Sequence, residues 1–159
     1  MPHDQLENLL PMREVFNFER TALLQWHKVN PIPVANKHYV PDTEFIVHFW
    51  RSGGYPKGQL CEKGRYITTP SGKNDFYFIN EGGEREKHPT VKPQSVMQWL
   101  VANGSKKGDA IIDPFAGTGS TGVAAIRHGR KFIGIEKEEK YYNIALKRLL
   151  EAENQKSLF

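Results

Sequence analysis

The sequence predicts an α/β protein: a partial parallel sheet with helices on both faces and an antiparallel hairpin at its edge. Three observations carry this. Ile111 to Glu136 (IIDPFAGTGSTGVAAIRHGRKFIGIE) reads as a strand, a glycine-rich turn, a helix and a second strand ending in a carboxylate, the order of a parallel β-α-β unit. Thr21 to His27 (TALLQWH) and Glu44 to Trp50 (EFIVHFW) are apolar segments that read as strands, the second rich in β-branched and aromatic residues. Gln94 to Ala102 (QSVMQWLVA) has the apolar spacing of a helix with one buried face.

Taken in order, Asp4 to Phe18 predicts a helix capped by Asp4 with Glu7 three residues on, interrupted by Pro11. The strand Thr21 to His27 runs into Asn30-Pro31-Ile32-Pro33, which forces an extended loop. Glu44 to Trp50 is then expected to pair antiparallel with the first strand at a sheet edge. From Arg51 to Lys87 the chain turns glycine-rich and polar, with Tyr55, Tyr66, Phe76, Tyr77 and Phe78 scattered through it. That is too long for a simple connection: it is either a partly ordered excursion or a surface that meets a large substrate. The helix at Gln94 is entered through His88-Pro89-Thr90-Val91-Lys92-Pro93. After Glu136 a helix runs through Tyr142, Ile144, Ala145 and Leu149, and the tail past Glu151 is expected to fray.

The turn after Ile112 carries the chemistry. Asp113-Pro114 stops the strand, because proline has no backbone donor to continue a ladder. Gly117 and Gly119 take backbone angles closed to other residues and let a ligand approach the main chain. Ser120 or Thr121 sits where a helix cap belongs, and the unpaired amides of that first turn favour a carboxylate or other anion. Gly129 ends the helix, and Lys131 to Ile135 form the next strand. Glu136 follows Asp113 by about 23 residues, close to the roughly 20-residue offset of an acid that hydrogen-bonds ribose hydroxyls. Two cofactor classes suit this frame. Gly117, Gly119 and Gly122 keep the G-x-G-x-x-G spacing of a dinucleotide site, so spacing does not exclude one. Asp113 argues against it, since a carboxylate at the entrance repels a pyrophosphate and attracts an ammonium group such as that of S-adenosyl-L-methionine.

Composition sets the bounds. At 159 residues one domain is expected, with a core that removes roughly two-thirds of the unfolded surface from water. No run is apolar enough to span a bilayer and Met1-Pro2-His3-Asp4 does not open a signal peptide, so no membrane partner is expected. A single cysteine, Cys61, permits no internal disulfide, which fits a reducing, cytoplasmic location. The six histidines lack ligand spacing, so no metal site is expected. A net charge of +4 allows a polyanionic partner without requiring one.

HPTVKP at 88–93, a helix, DPFAGTGST at 113–121 and FIGIE at 132–136 closely resemble the DNA amino-methyltransferases that modify exocyclic amines of adenine or cytosine. The order looks like the subclass whose catalytic half comes first and whose cofactor motif lies near the C-terminus. WHKVNPIP at 26–33 and EFIVHFW look like its edge strands and connecting loop. The resemblance implies a Rossmann-like class I methyltransferase sheet, with S-adenosyl-L-methionine as cofactor and DNA as partner. Asp113 would hold the methionine amine and Phe115 would line the pocket. Gly117 and Gly119 would form the turn beneath it, and Ser120 and Thr121 would offer cap hydroxyls and amides near the methionine carboxylate. Glu136 would take the ribose. His88 to Pro93 would close over the methionine end, with Thr90 and Lys92 as polar contacts; the alternative for Lys92 is a solvated lysine. Residues 1–50 would be the edge helix and hairpin, 51–87 a variable, DNA-facing loop region, and 88–150 the cofactor half. Lys57, Lys63, Arg65 and Lys73 would face phosphates.

One family feature is missing from this sequence. The family carries an Asp/Asn/Ser-Pro-Pro-aromatic tetrapeptide, whose acceptors hydrogen-bond the target amine and whose ring stacks the extruded base. There is no Pro-Pro pair here. Asn30-Pro31-Ile32-Pro33 imitates only its start, so no catalytic residue is assigned. The expectation is an incomplete methyltransferase domain: the C-terminal part of an enzyme whose N-terminal part is a separate polypeptide, a truncated relic, or a sequence whose start was assigned too late. A second copy is a further candidate partner. The rival is a non-catalytic module that binds S-adenosyl-L-methionine or DNA.

Overall fold

Pro11 divides the first helical segment. The computed structural model, which describes residues 6–9, 11–28, 43–51, 66–69, 77–79, 85–87 and 91–156, has two single turns, α1 (Leu6–Leu9) and α2 (Met12–Val15), where one helix over 4–18 was expected. A proline inside a helix removes a donor and clashes with the preceding turn. The described residues fall into two compact units, Met1–Ser71 and Gly72–Phe159.

In the first unit, β1 (Arg20–Lys28) and β2 (Thr43–Trp50) pair antiparallel as expected, from Arg20↔Trp50 to His27↔Thr43. A third strand, β3 (Tyr66–Thr69), lies parallel to β1 on its other side, giving the order β2-β1-β3. Of the antiparallel pair only β2 is therefore an edge, β3 being the other edge of this sheet, and β1 is central. Trp26 on β1 is buried, as an aromatic on a central strand should be. Phe18 stacks on Phe49 at 5.6 Å between centroids, and the Arg51 guanidinium lies 5.9 Å from the Phe18 ring.

In the second unit the chain forms a short antiparallel pair, β4 (Tyr77–Ile79) with β5 (Arg85–Lys87), and then α3 (Gln94–Gly104). Both β3 and this pair fall in the stretch read as a polar excursion. The parallel unit follows: β6 (Ala110–Asp113), α4 (Ser120–Arg127) and β7 (Lys131–Gly134), in register from Ala110↔Lys131 to Asp113↔Gly134. Gly129, at φ +72°, ends α4 as the sequence requires. Its N–H donates to Ile126 O at 3.0 Å, while Arg130 N–H donates to Ala125 O at 2.8 Å, the paired bonds that close a helix through a left-handed glycine.

Small residues let α4 approach closely. Gly122 faces the Phe132 ring and Leu149: an added Cβ would stand 2.6 Å from the ring and 2.5 Å from Leu149 Cδ2. The last helix, α5 (Glu139–Lys156), packs along α4, with Val123, Ile126, Leu149 and Ala152 forming the shared core. The tail expected to fray past Glu151 instead stays helical to Lys156, because Ala152 continues the stripe of Ala145 and Leu149 into that core. On β6 and β7 the face opposite Phe132 leaves Ile112, Ile133 and Ile135 exposed. Among the described residues no helix is long and apolar enough to cross a membrane.

Candidate cofactor site

The C-terminal ends of β6 and β7 meet the N-terminus of α4, and backbone bonds join them. Ile135 N–H donates to Asp113 O and Ala116 N–H donates to Ile135 O, both at 2.9 Å. The two strands thus stay paired past their formal ends, and the turn is stretched between them.

Two carboxylates hold that turn. Asp113 Oδ1 accepts from Phe115 N–H at 3.0 Å, and its Oδ2 accepts from the Thr121 hydroxyl at 2.6 Å. Glu136 Oε2 accepts from Gly117 N–H at 2.8 Å, and its Oε1 accepts from Glu138 N–H at 3.0 Å. The bonds to Glu136 favour its ionised form. Glu138 N–H is foremost in holding the Glu136 carboxyl below its ordinary range, helped by the N–H groups of Gly117 and Lys137 and the Lys137 charge, against a cost of burial.

The glycines have distinct tasks. Gly117, at φ +53°, has an open face where an added Cβ would meet only Phe115 O, at 4.0 Å. Gly119, at φ +77°, is the N-cap of α4, and its open side is filled by α5 with Ala145 Cβ 3.0 Å away. This corrects the cap expectation: Ser120 and Thr121 are the first two helical residues. The Thr121 hydroxyl turns back to Asp113, and Ser120 Oγ lies 3.5 Å from Arg148 Nη1. The left-handed backbone that the turn needs at position 119 suits glycine, so the cap falls one residue earlier.

Asp113, Phe115, Gly117, Gly119, Ser120, Thr121 and Glu136 are therefore gathered at one end of the β6–β7 pair. Phe115 stands out from the turn with 87% of its surface exposed. Of residues 88–93, His88 and Thr90 lie outside the described residues, as do Cys61, Lys57, Lys63, Arg65, Lys73 and Asn30-Pro31-Ile32-Pro33. Val91 and Pro93 are buried and Lys92 is exposed. Pro93 is the N-cap of α3, and the next residue ties this loop to the turn: Gln94 Nε2 donates to Ser120 O at 3.2 Å, with its own Oε1 buried and unpaired.

Three contributors escaped the sequence reading: Gln94, Thr118 and Arg148. Arg148 Nη1, from α5, donates to Thr118 O at 2.5 Å and lies 3.0 Å from Thr118 Oγ1. The only signal for it was its place three residues after Ala145, one helical turn along the same face.

Residues 5–147 match the family described as DNA methylase, N6_N4_Mtase. Type II methyltransferase M2.DpnII of Streptococcus pneumoniae is 54% identical over 140 residues, covering 83% of this chain and 51% of that protein. Type II methyltransferase M2.LlaDCHI of Lactococcus lactis subsp. cremoris is 52% identical over 137 residues, covering 79% and 49%. The crystal structure of the M1.HpyAVI–SAM complex matches with a TM-score of 0.72 at 30% identity, over 94% of this chain and 71% of that one. PvuII DNA methyltransferase (cytosine-N4-specific) shares the fold, with a TM-score of 0.72 at 17% identity, over 95% of this chain and 62% of that one. The chain belongs to the N6/N4 DNA methylase family, and its fold is the expected α/β, Rossmann-like class I methyltransferase architecture. It spans about half the length of the curated relatives it matches.

Proposed function

We propose that this chain is the S-adenosyl-L-methionine-binding part of a DNA amino-methyltransferase acting on adenine N6 or cytosine N4. The observation that carries the reading is the turn from Asp113 to Thr121, bounded by two carboxylates and bare at Gly117. A nucleoside needs a flat approach to the main chain, and the open face at Gly117 offers one. Asp113 and Glu136 supply the negative potential that a sulfonium and an ammonium group require, and both keep acceptor capacity beyond the bonds they make to the turn. Glu136 suits the ribose hydroxyls, Phe115 the adenine, and the first amides of α4 the methionine carboxylate. Thr90, Lys92 and Pro93, with His88, close the methionine end.

When bound, the cofactor supplies an electrophilic methyl group. Asp113, Glu136 and the first amides of α4 would hold the cofactor for methyl transfer to a base amine. The residues of this chain bind and orient for that step. The groups that raise amine nucleophilicity belong to a Pro-Pro-aromatic segment that this sequence does not contain. We assign that segment to a further polypeptide or chain segment, and DNA contact to it together with residues 51–87.

Calorimetric titration with S-adenosyl-L-methionine tests the cofactor claim, and neither heat nor thermal stabilisation would reject it. Transfer of labelled methyl groups to DNA tests the division of labour. The chain alone should be inactive, and activity should appear when it is mixed with the N-terminal half of a close relative. Binding without transfer in any such mixture would favour the second reading, a non-catalytic cofactor- or DNA-binding module, which the missing tetrapeptide motivates.

A further inference from the structure

The glycine turn is braced from outside as well as from within. Asp113 and Glu136 hold the Phe115 and Gly117 amides from the strand side, Gln94 holds Ser120 O, and Thr118 between them is held from α5 by Arg148. Thr118 is buried, and a buried carbonyl must find a donor. The donor it finds is a guanidinium at the N-terminus of α4, where the helix dipole disfavours a cation. A side chain held there against the dipole is fixed by the specific bonds to Thr118 O and Oγ1. One turn earlier on α5, Ala145 is small enough for the bare Cα of Gly119 to rest against it. The two contacts together lock the turn to the helix that follows it.

We propose that Arg148 is a positioning residue of the cofactor site. It acts through Thr118, keeping the amides of Ser120 and Thr121 at the start of α4 aimed at the ligand, and does not touch the ligand itself. The role rests on the cofactor reading above but concerns a residue outside the turn, on an element that the motif does not include.

The test uses the full chain with Arg148→Met, Arg148→Lys and, as a control, Leu149→Ala. The control loosens the α4–α5 core without reaching the turn. Titration with S-adenosyl-L-methionine should show about a tenfold loss of affinity in R148M, as expected for one hydrogen bond to a charged donor. R148K, which keeps a cationic donor group on a flexible stem, should recover most of it. L149A should lower the melting temperature at least as much as R148M yet bind within about twofold of the parent. In the unliganded protein, amide hydrogen exchange at 118–121 should quicken in R148M and remain near the parent rate in L149A. Unchanged affinity in R148M, or an equal loss in L149A, overturns the proposal. If the parent binds no S-adenosyl-L-methionine the cofactor reading fails by itself, and the exchange rates still decide whether Arg148 orders the turn.

Discussion

Gly117 and Gly119 share a left-handed backbone but not a neighbourhood, so one methyl group added to each should separate strain from crowding. At both positions φ is positive, +53° and +77°, which costs an L-residue roughly 1–2 kcal/mol. Alanine recovers about 0.4–1 kcal/mol of that by restricting the unfolded chain. For Gly117→Ala that is nearly all, because the new Cβ meets only Phe115 O at 4.0 Å, and the net loss should be roughly 0–1.6 kcal/mol. In Gly119→Ala the Cβ stands 3.0 Å from Ala145 Cβ and 3.2 Å from its Cα. Helix backbone cannot rotate aside, so overpacking adds about 1–3 kcal/mol. Urea unfolding should thus rank G119A below G117A by at least about 1 kcal/mol. Titration with S-adenosyl-L-methionine should show G117A as the variant that folds yet binds poorly, its methyl group occupying the open face. Equal losses of stability would refute the close-approach argument. Normal binding by G117A would refute the use of that face.

Gly122→Ala should destabilise by about 1 kcal/mol or more, since overpacking against Phe132 and Leu149 exceeds the roughly 1 kcal/mol helix-propensity gain; Phe132→Leu should relieve part of it in a double-mutant cycle, and a more stable G122A would contradict the packing. Thr121→Val removes the 2.6 Å bond to Asp113 and should cost about 1–3 kcal/mol, largely restored in Thr121→Ser; a urea midpoint equal to the parent's would show that the bond contributes nothing. Glu136 is held below its ordinary value of 4.5, so its stabilising effect is present above that pH and is lost as pH falls through the folded value. Glu136→Gln should flatten the acid limb of stability against pH, and an unaltered limb would count against the turn bonds. Burial holds His48 below its ordinary value of 6.5, so the fold favours its neutral form and stability should decline as pH falls below that value; His48→Gln should remove this part of the slope, measured by urea midpoints across the range.

What was legible in the sequence was local. The stop at Asp113-Pro114, the left-handed glycines, the glycine end of α4 and the offset to Glu136 each depend on neighbours within one supersecondary unit, and the structure places them accordingly. The Ser120 cap was misjudged by one residue because cap propensity ranks side chains, whereas the requirement at 119 is a backbone angle. Tyr66–Thr69 looked like loop because a strand so short is made by its partner, β1, far away in sequence. Arg148 was invisible for the same reason: its acceptor lies 30 residues earlier.

The geometry also bears on the choice that glycine spacing left open. A pyrophosphate site needs backbone amides pointing freely into the turn, so that successive N–H groups cradle the anion. Here the N–H groups of Phe115 and Gly117 already donate to Asp113 and Glu136. Any phosphate entering would have to displace a carboxylate and then lie beside it. The third glycine, Gly122, is covered by Phe132 and Leu149, so it serves helix packing and not ligand approach. A turn whose donors are neutralised from within by two carboxylates presents net negative potential at its mouth. Only the amides at the start of α4 remain positive. That polarity, negative at the strand ends and positive at the helix, matches a ligand with cationic sulfonium and ammonium groups and a single carboxylate, and it opposes a dinucleotide.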